Sequence, residues 1–318
     1  MGREDMRVLV LAGGLSYERE VSLRSGRRIL DALLSAGVDA AMRDVDASLL
    51  PVIDAEAPDA IIIALHGSTG EDGSLQGILE LASAPYVGAG ARSARLAWDK
   101  PSAKAVLGGA GIDTPDWVTL PHERFTELGA KAVLDRVVTR LGLPLMVKPA
   151  QGGSGLGATV VRAAEDLPAA MVACFAYHST ALVESYIEGA DIAVTVVDLG
   201  EGPIALPAVE IVARDGVYDY AARYTSGLTT WHTPARLSDG VAAAAAKVAL
   251  EAHAALGLGD LSRIDMIVAA DGTPYVLEAS VAPGMTDTSL VPMALSAAGL
   301  DLGQTMAVLA ERAAARRR

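Results

Sequence analysis

One cysteine, two phenylalanines and no long apolar run set the outer limits on what this chain can be. A single cysteine, Cys174, rules out an internal disulfide and points to a reducing compartment. It sits in the helix-like stretch "AAMVACFAY", which reads as a buried bystander rather than a nucleophile. Positive charge is also scarce: 26 Lys and Arg stand against 39 Asp and Glu, a formal net charge of −13. That balance repels phosphate backbones, so no nucleic-acid partner is expected, although single lysines and loops can still bind small anions. The apolar stretch "RVLVLAG" is too short to span a bilayer and no small-residue cleavage site follows it. No membrane partner is expected, and the reading is cytoplasmic. With so few phenylalanines, the cores must be built from Ala, Val, Leu and Ile. At 318 residues and 51% hydrophobic, the chain is long enough for two or three of them.

What is present is periodic. The first third alternates strand patterns ("RVLVLAG", "AAMRDVD", "DAIIIALHG") with helix patterns ("SLRSGRRILDALLSAG", "GSLQGILELAS"). Continuous apolar strands between helices predict a parallel sheet covered on both faces, a Rossmann-like α/β domain over residues 1–90. Residues 91–186 read as an α+β unit. It opens with a helix over "SARLAWDKPSAKAVLGGAG" and continues with strands around the glycine loop "QGGSGLG", a helix over "AEDLPAAMVACFAY" and the strand "STALVESYIEG". Residues 187–318 are richer in antiparallel-type strands. They contain a hairpin across "ADGT" and an Ala-rich helix from about Asp239 to Ala255, N-capped by Ser238 or Asp239.

Four segments carry groups that do chemistry. In "VKPAQGGSGLGATVV", Lys148 ends a buried strand, and the glycines that follow let backbone N–H groups approach an anion. A strand comes next where a dinucleotide fingerprint needs a helix, and the G-K-[ST] ending of a P-loop is missing. A phosphate-covering hairpin fits better, with a plain turn as the other reading. In "RIDMIVAADGTPYVLEAS", pairing across the turn brings Asp265 beside Glu278, with Arg263 on the same face. Two acids on one buried face fit a hard divalent cation, Mg²⁺ above all, with a surface salt bridge as the bland alternative. In "LAGGLSYEREVSLRSG", Glu18, Glu20 and Ser22 lie where a helix begins. Capping is the favoured reading there, and an ammonium held by Glu20 is the other. In "ALHGSTGEDGSLQG", His66 follows a strand end of the kind that borders α/β ligand sites, and it either touches substrate or supports its loop.

Taken in order, "GGLSYEREVSL", "ALHGSTGEDGSLQG", "WDK", "VKPAQGGSGLG", "YDYAARY", "RIDM" and "LEASVAPGMTDTSLVPM" resemble the D-alanine–D-alanine ligases of the ATP-grasp superfamily across nearly the whole chain. The resemblance implies a three-domain α/β and α+β ATP-grasp fold. The implied reaction is ATP-dependent joining of two D-alanines through an acyl phosphate for peptidoglycan synthesis, by a homodimer using Mg²⁺ with Mn²⁺ as an alternative.

It also implies roles. Lys100 and Lys148 contact the phosphates, under a lid containing Gly152, Gly153, Gly155 and Gly157. Glu184, Ser185, Tyr186 and Ile187 frame the adenine, and Asp191 takes the ribose where the family has glutamate. Asp265, Glu278 and Ser280 hold metal. Glu20 and His66 bind the first D-alanine, and Glu20, Ser154 and Tyr224 form a closing network. Arg223 grips a carboxylate or phosphate, and Ser289 binds the second carboxylate. Arg263 and the Gly284 N–H face the oxyanion.

Three departures stand out. Ser280 replaces an asparagine, Gly152 often a glutamate, and Arg223 a lysine. They motivate an alternative, a related ligase joining different amino acids in specialised metabolism. A third reading is a homologue that binds nucleotide without turnover.

Overall fold

The computed structural model describes residues 6–316 apart from 215 and 226. Its strands form three sheets. In the first, β1 (Arg7–Leu11) lies between β2 (Asp39–Arg43) and β3 (Ala60–Ile63), all parallel, as the alternating pattern predicts. Val8 and Val10 of β1 face one core while Leu9 and Leu11 face another, because successive strand residues point to opposite sides. Helices Leu49–Glu56 and Ser74–Leu81 cover the second face. The first face is covered by helix Arg19–Ser35 together with the last helix of the described chain, Leu302–Ala315. That long return of the C-terminus is invisible to local periodicity. It is fixed by close packing, since any Cβ on Gly303 would collide with the Ala32 carbonyl.

The second sheet is antiparallel, in the order β4 (Trp117–Pro121), β7 (Thr180–Ser185), β5 (Leu145–Pro149), β6 (Thr159–Val161). Leu145, Val147, Ala181 and Val183 point into a core shared with helices Ala130–Leu141 and Leu167–Phe175. The alternate residues Lys148 and Glu184 therefore share the opposite face.

The third sheet runs β11 (Thr229–His232), β10 (Val209–Ala213), β8 (Gly189–Asp198), β12 (Leu261–Ala269), β13 (Pro274–Ser280), and β9 (Pro203–Ala205) pairs with β8. Ile192, Val194, Ile264, Met266 and Val276 bury one face against the Ala-rich helix Asp239–Leu256. Asp191, Arg263 and Asp265 occupy alternate positions and emerge on the other face.

Two expectations change. The long helix around "WDKPS" is two helices, Ala91–Trp98 and Lys100–Gly109. Asp99 breaks it, taking an extended conformation and accepting from the Ser102 N–H as an N-cap, and Pro101 suits the first turn that follows. Both helices bury apolar side chains in the third sheet's core, while Lys100 and Lys104 also bond to the glycine-loop unit to which the sequence assigned residues 91–112. Among the described residues, no single helix is long and apolar enough to cross a membrane.

Candidate active site

Two adjoining cavities lie where the three sheets meet. One runs between the second and third sheets. It is lined by Lys148, Glu184, Ser185, Tyr186, Ile187 and Asp191, and by Asp265, Leu277, Gly153 and Gly155. The other opens toward the first sheet and is lined by Glu18, His66, Glu71, Ser154, Arg263, Ser280, Gly284 and Ser289. Lys100, Gly152, Gly153, Tyr218, Arg223 and Glu278 border both, so these residues form the passage between them.

The carboxylate pair comes from an irregularity in the β12–β13 hairpin. Val268 pairs with Pro274 and Met266 with Val276, but Asp265 then pairs with Glu278, because the register shifts by one residue at Asp265. Without that bulge Asp265 would face Leu277. A bulge re-aims a side chain at a site in just this way.

The charges here are closely matched. Arg263 donates twice to Asp265, at 2.6 and 2.7 Å. The Asp265 and Glu278 carboxylates, with the bidentate bond, raise the guanidinium's affinity for its proton although burial opposes it. Lys100 Nζ lies 3.5 Å from Glu278 and donates to the Gly152 carbonyl at 2.6 Å. Burial would raise the Glu278 pKa, but the Lys100 and Lys148 ammoniums, with Arg223 and Arg263, hold it well below the ordinary carboxylate value. On the neighbouring strand, burial and the Asp265 charge push Asp191 up to about 7.

This donor set suits Mg²⁺. Among the described residues no three acid, histidine or cysteine side chains enclose a site that would cage an ion by protein alone. Asp265 and Glu278 instead offer two hard oxygen donors beside open cavity, the usual arrangement for an ion shared with substrate phosphates. Asp191, whose proton affinity is raised by both of them, marks an excess of negative potential there. Ser280 was expected to be a third metal oxygen. Its hydroxyl donates to Glu71 Oε2 at 3.2 Å.

The glycine loop is built as a cover. Gly155, at φ +71°, approaches the Asp219 backbone so closely that a Cβ would lie 3.1 Å from it. The loop thus rests on the segment leading into helix Tyr220–Tyr224, which Asp219 caps through the Ala222 N–H. Arg223 lies 4.3 Å from the centre of the Tyr218 ring. Gly157 lines neither cavity and packs instead against Tyr177 and Pro149. Tyr224 ends the helix, and its side chain lies outside the described residues.

One sequence assignment is corrected on the substrate side. Glu20 is exposed in the first turn of helix Arg19–Ser35 and does not border the cavity. Glu18, two residues earlier and just ahead of the helix, does, and its carboxylate accepts a short hydrogen bond from Ser154 on the glycine loop. Helix geometry separates them: residues two apart lie about 200° around the axis. Sequence reading placed an acid at this helix start but chose Glu20.

His66 is buried, with Nδ1 3.0 Å from the Ala282 carbonyl and Nε2 3.0 Å from Ser25 Oγ. Burial lowers its pKa to about 4, so the ring is neutral. Ser25 also accepts from the Met285 N–H, a link that sequence reading missed because the partners are 260 residues apart. Gly284 and Ser289 lie together, since Ser289 Oγ would sit 2.8 Å from a Cβ on Gly284 and already accepts from the Thr286 N–H. Glu71, in the same loop as His66, was given no role by the sequence. Its carboxyl accepts from the Gly67 N–H, and burial, with the Glu18 charge, pushes it up to about 8.

A cleft between two antiparallel sheets, under a glycine hairpin and joined to a second polar cavity, defines the ATP-grasp class. Comparison with solved structures agrees. The chain superposes on the D-alanine–D-alanine ligase of Bacillus anthracis with a TM-score of 0.84 at 31% identity, covering 98% of each chain. The ATP complex of a ligase from the same organism gives 0.81 at 30% identity, also over 98% of each chain. Residues 49–89 match the family described as D-ala D-ala ligase N-terminus, and residues 106–311 match D-ala D-ala ligase C-terminus. The D-alanine–D-alanine ligase of Bordetella avium (strain 197N) is 41% identical over 262 residues, 82% of this chain and 80% of its own length. That of Pelotomaculum thermopropionicum is 38% identical over 263 residues, 83% of this chain and 82% of its own length. The chain belongs to the D-alanine–D-alanine ligase family.

Proposed function

We propose that this enzyme joins two D-alanines into D-alanyl-D-alanine, with ATP converted to ADP and phosphate, as a step of peptidoglycan precursor synthesis. One observation carries this reading: Lys100 and Glu278 border both cavities at once, so a phosphate at the end of one lies next to a carboxylate held in the other.

In this reading Lys148, Lys100 and the loop from Gly152 to Gly155 receive the triphosphate, while Glu184 to Ile187 and Asp191 receive the nucleoside. Asp265 and Glu278 would hold Mg²⁺, which when bound supplies charge neutralisation for phosphoryl transfer. Glu18 replaces Glu20 as the group facing the first D-alanine's ammonium. His66, neutral and fixed by Ser25, borders the same amino acid. The activated carboxyl of that D-alanine is an acyl phosphate, which the second D-alanine's amine attacks, releasing phosphate. Arg263 and the Gly284 N–H stand where the carbonyl oxygen gains charge, and one well-placed donor of this kind contributes about 3–4 kcal/mol. Ser289 receives the second carboxylate. The Ser154–Glu18 bond ties the glycine lid to the amino-acid cavity, so closing over ATP also shields the acyl phosphate from water. Two subunits would form a homodimer.

ADP release that depends on D-alanine, with the dipeptide identified by mass spectrometry, tests the proposal. Turnover with other amino acids only would sink it.

A further inference from the structure

Behind the nucleotide cavity, and bordering neither cavity, lies the ammonium of Lys104. It is only 1% exposed and is among the largest fully buried side chains. Lys104 stands one turn after Lys100 on helix Lys100–Gly109, so the helix delivers both lysines on one face. Its Nζ lies 2.6 Å from Glu184 Oε1 and also donates to the Thr114 hydroxyl. The other carboxylate oxygen, Oε2, lies 2.6 Å from Lys148 Nζ. One buried carboxylate is thus shared by two ammoniums, one facing the cavity and one behind it.

That arrangement has a consequence for any polyanion entering the cavity. With Lys148 as its sole partner, Glu184 would cancel the charge that Lys148 offers to phosphate. Withdrawing Lys148 toward a ligand would then strand a buried carboxylate, an expensive state. With Lys104 behind it, Glu184 keeps a cation when Lys148 turns away, and the triad carries one net positive charge facing the cavity. The two fixed oxygens also hold the Glu184 carboxylate in place at the cavity wall.

We propose that Lys104 is a positioning residue for the nucleotide: by holding Glu184 from behind, it frees Lys148 to bind phosphate. This rests on reading the cavity between the second and third sheets as the ATP site. Burial lowers the Lys104 pKa to about 8 against the opposing pull of Glu184, and the Lys148 charge lowers it further, consistent with a cation held at some cost.

The test is ADP affinity by calorimetry on the intact enzyme, alongside the D-alanine KM and the melting temperature. Lys104→Met is expected to weaken ADP binding by at least about tenfold, because one partner of a buried charge pair is removed. The D-alanine KM should stay within about twofold, since that cavity does not include Lys104. The same change made in a Glu184→Gln background should cost less than about threefold, because the charge Lys104 balances is already gone. Should Lys104→Met fail to fold, Thr114→Val serves instead. It loosens the ammonium without removing it, and ADP binding should weaken by about threefold. Three results overturn the proposal: ADP affinity unchanged while the melting temperature falls, equal losses in both Glu184 backgrounds, or equal shifts in ADP affinity and D-alanine KM. If the unaltered enzyme binds no ADP, the nucleotide reading falls too, which separates the two failures.

Discussion

Asp265 and Glu278 stand directly opposite each other on adjacent antiparallel strands because the register of β12 and β13 slips by one residue beside them. The slip leaves Leu277 unpaired and lets it line the nucleotide cavity. It also sets two carboxylates on one face, where four cations of the chain (Lys100, Lys148, Arg223 and Arg263) balance them. Unrelieved, two such charges in a buried setting would be costly.

Glu278→Gln should therefore remove catalysis more than folding. The expected loss in kcat is about 10²–10³, the usual scale for one electrostatic group at a transition state. The melting temperature should move little, because the Arg263–Asp265 pair is left intact. Steady-state kinetics beside a thermal melt check both, and a kcat within tenfold of the unaltered enzyme would remove Glu278 from the mechanism.

Glu18 and Glu20 give opposite expectations. Glu18→Gln should raise the first D-alanine's KM by about tenfold or more, as a charge-assisted hydrogen bond of about 1.5–3 kcal/mol is lost. Glu20→Gln, on an exposed helix turn, should change KM by less than about twofold. The reverse ranking would return Glu20 to the site.

Ser280 offers a discriminating pair. Its hydroxyl is engaged with Glu71, so Ser280→Ala should cost about 1 kcal/mol of stability by removing a partly buried hydrogen bond. Ser280→Asn restores an amide oxygen beside Glu278. It should lower the Mg²⁺ concentration needed for half-maximal rate if that oxygen reaches the ion, and an unchanged Mg²⁺ titration would leave Ser280 solely a partner of Glu71.

His66 predicts a pH dependence of stability. Its folded pKa lies near 4, below the ordinary 6.5. Between these values the unfolded chain takes up a proton that the folded one refuses. Stability is therefore fully present above about pH 6.5 and falls as pH drops toward 4, by about 3 kcal/mol from this group. Denaturant melts at pH 7 and pH 4.5 measure it, and His66→Gln should flatten the difference. A His66→Gln profile as steep as the original would place the titration elsewhere.

Much of the site was legible because strands repeat every two residues. Reading Arg263 and Asp265 as one face, or Lys148 as the end of a buried strand before a glycine loop, needs only the alternation of side chains. The parallel first sheet was equally plain from its run of apolar strands between helices. Other features required distant parts of the chain to meet. The choice of Glu18 over Glu20 depends on where helix Arg19–Ser35 starts and which way it faces. The hold of Lys104 on Glu184 joins helix Lys100–Gly109 to a strand of the second sheet. The link from Ser25 to both His66 and Met285 joins opposite ends of the sequence.

By itself, then, the sequence determined many of the strands and helices and which residue types meet an anion, a cation or a carboxylate, since these follow from local periodicity and side-chain chemistry. Tertiary structure alone decided which acid enters the cavity, where Ser280 spends its hydroxyl and which helix closes the first sheet. Each of those depends on packing between residues tens to hundreds of positions apart, where neither period nor propensity carries information.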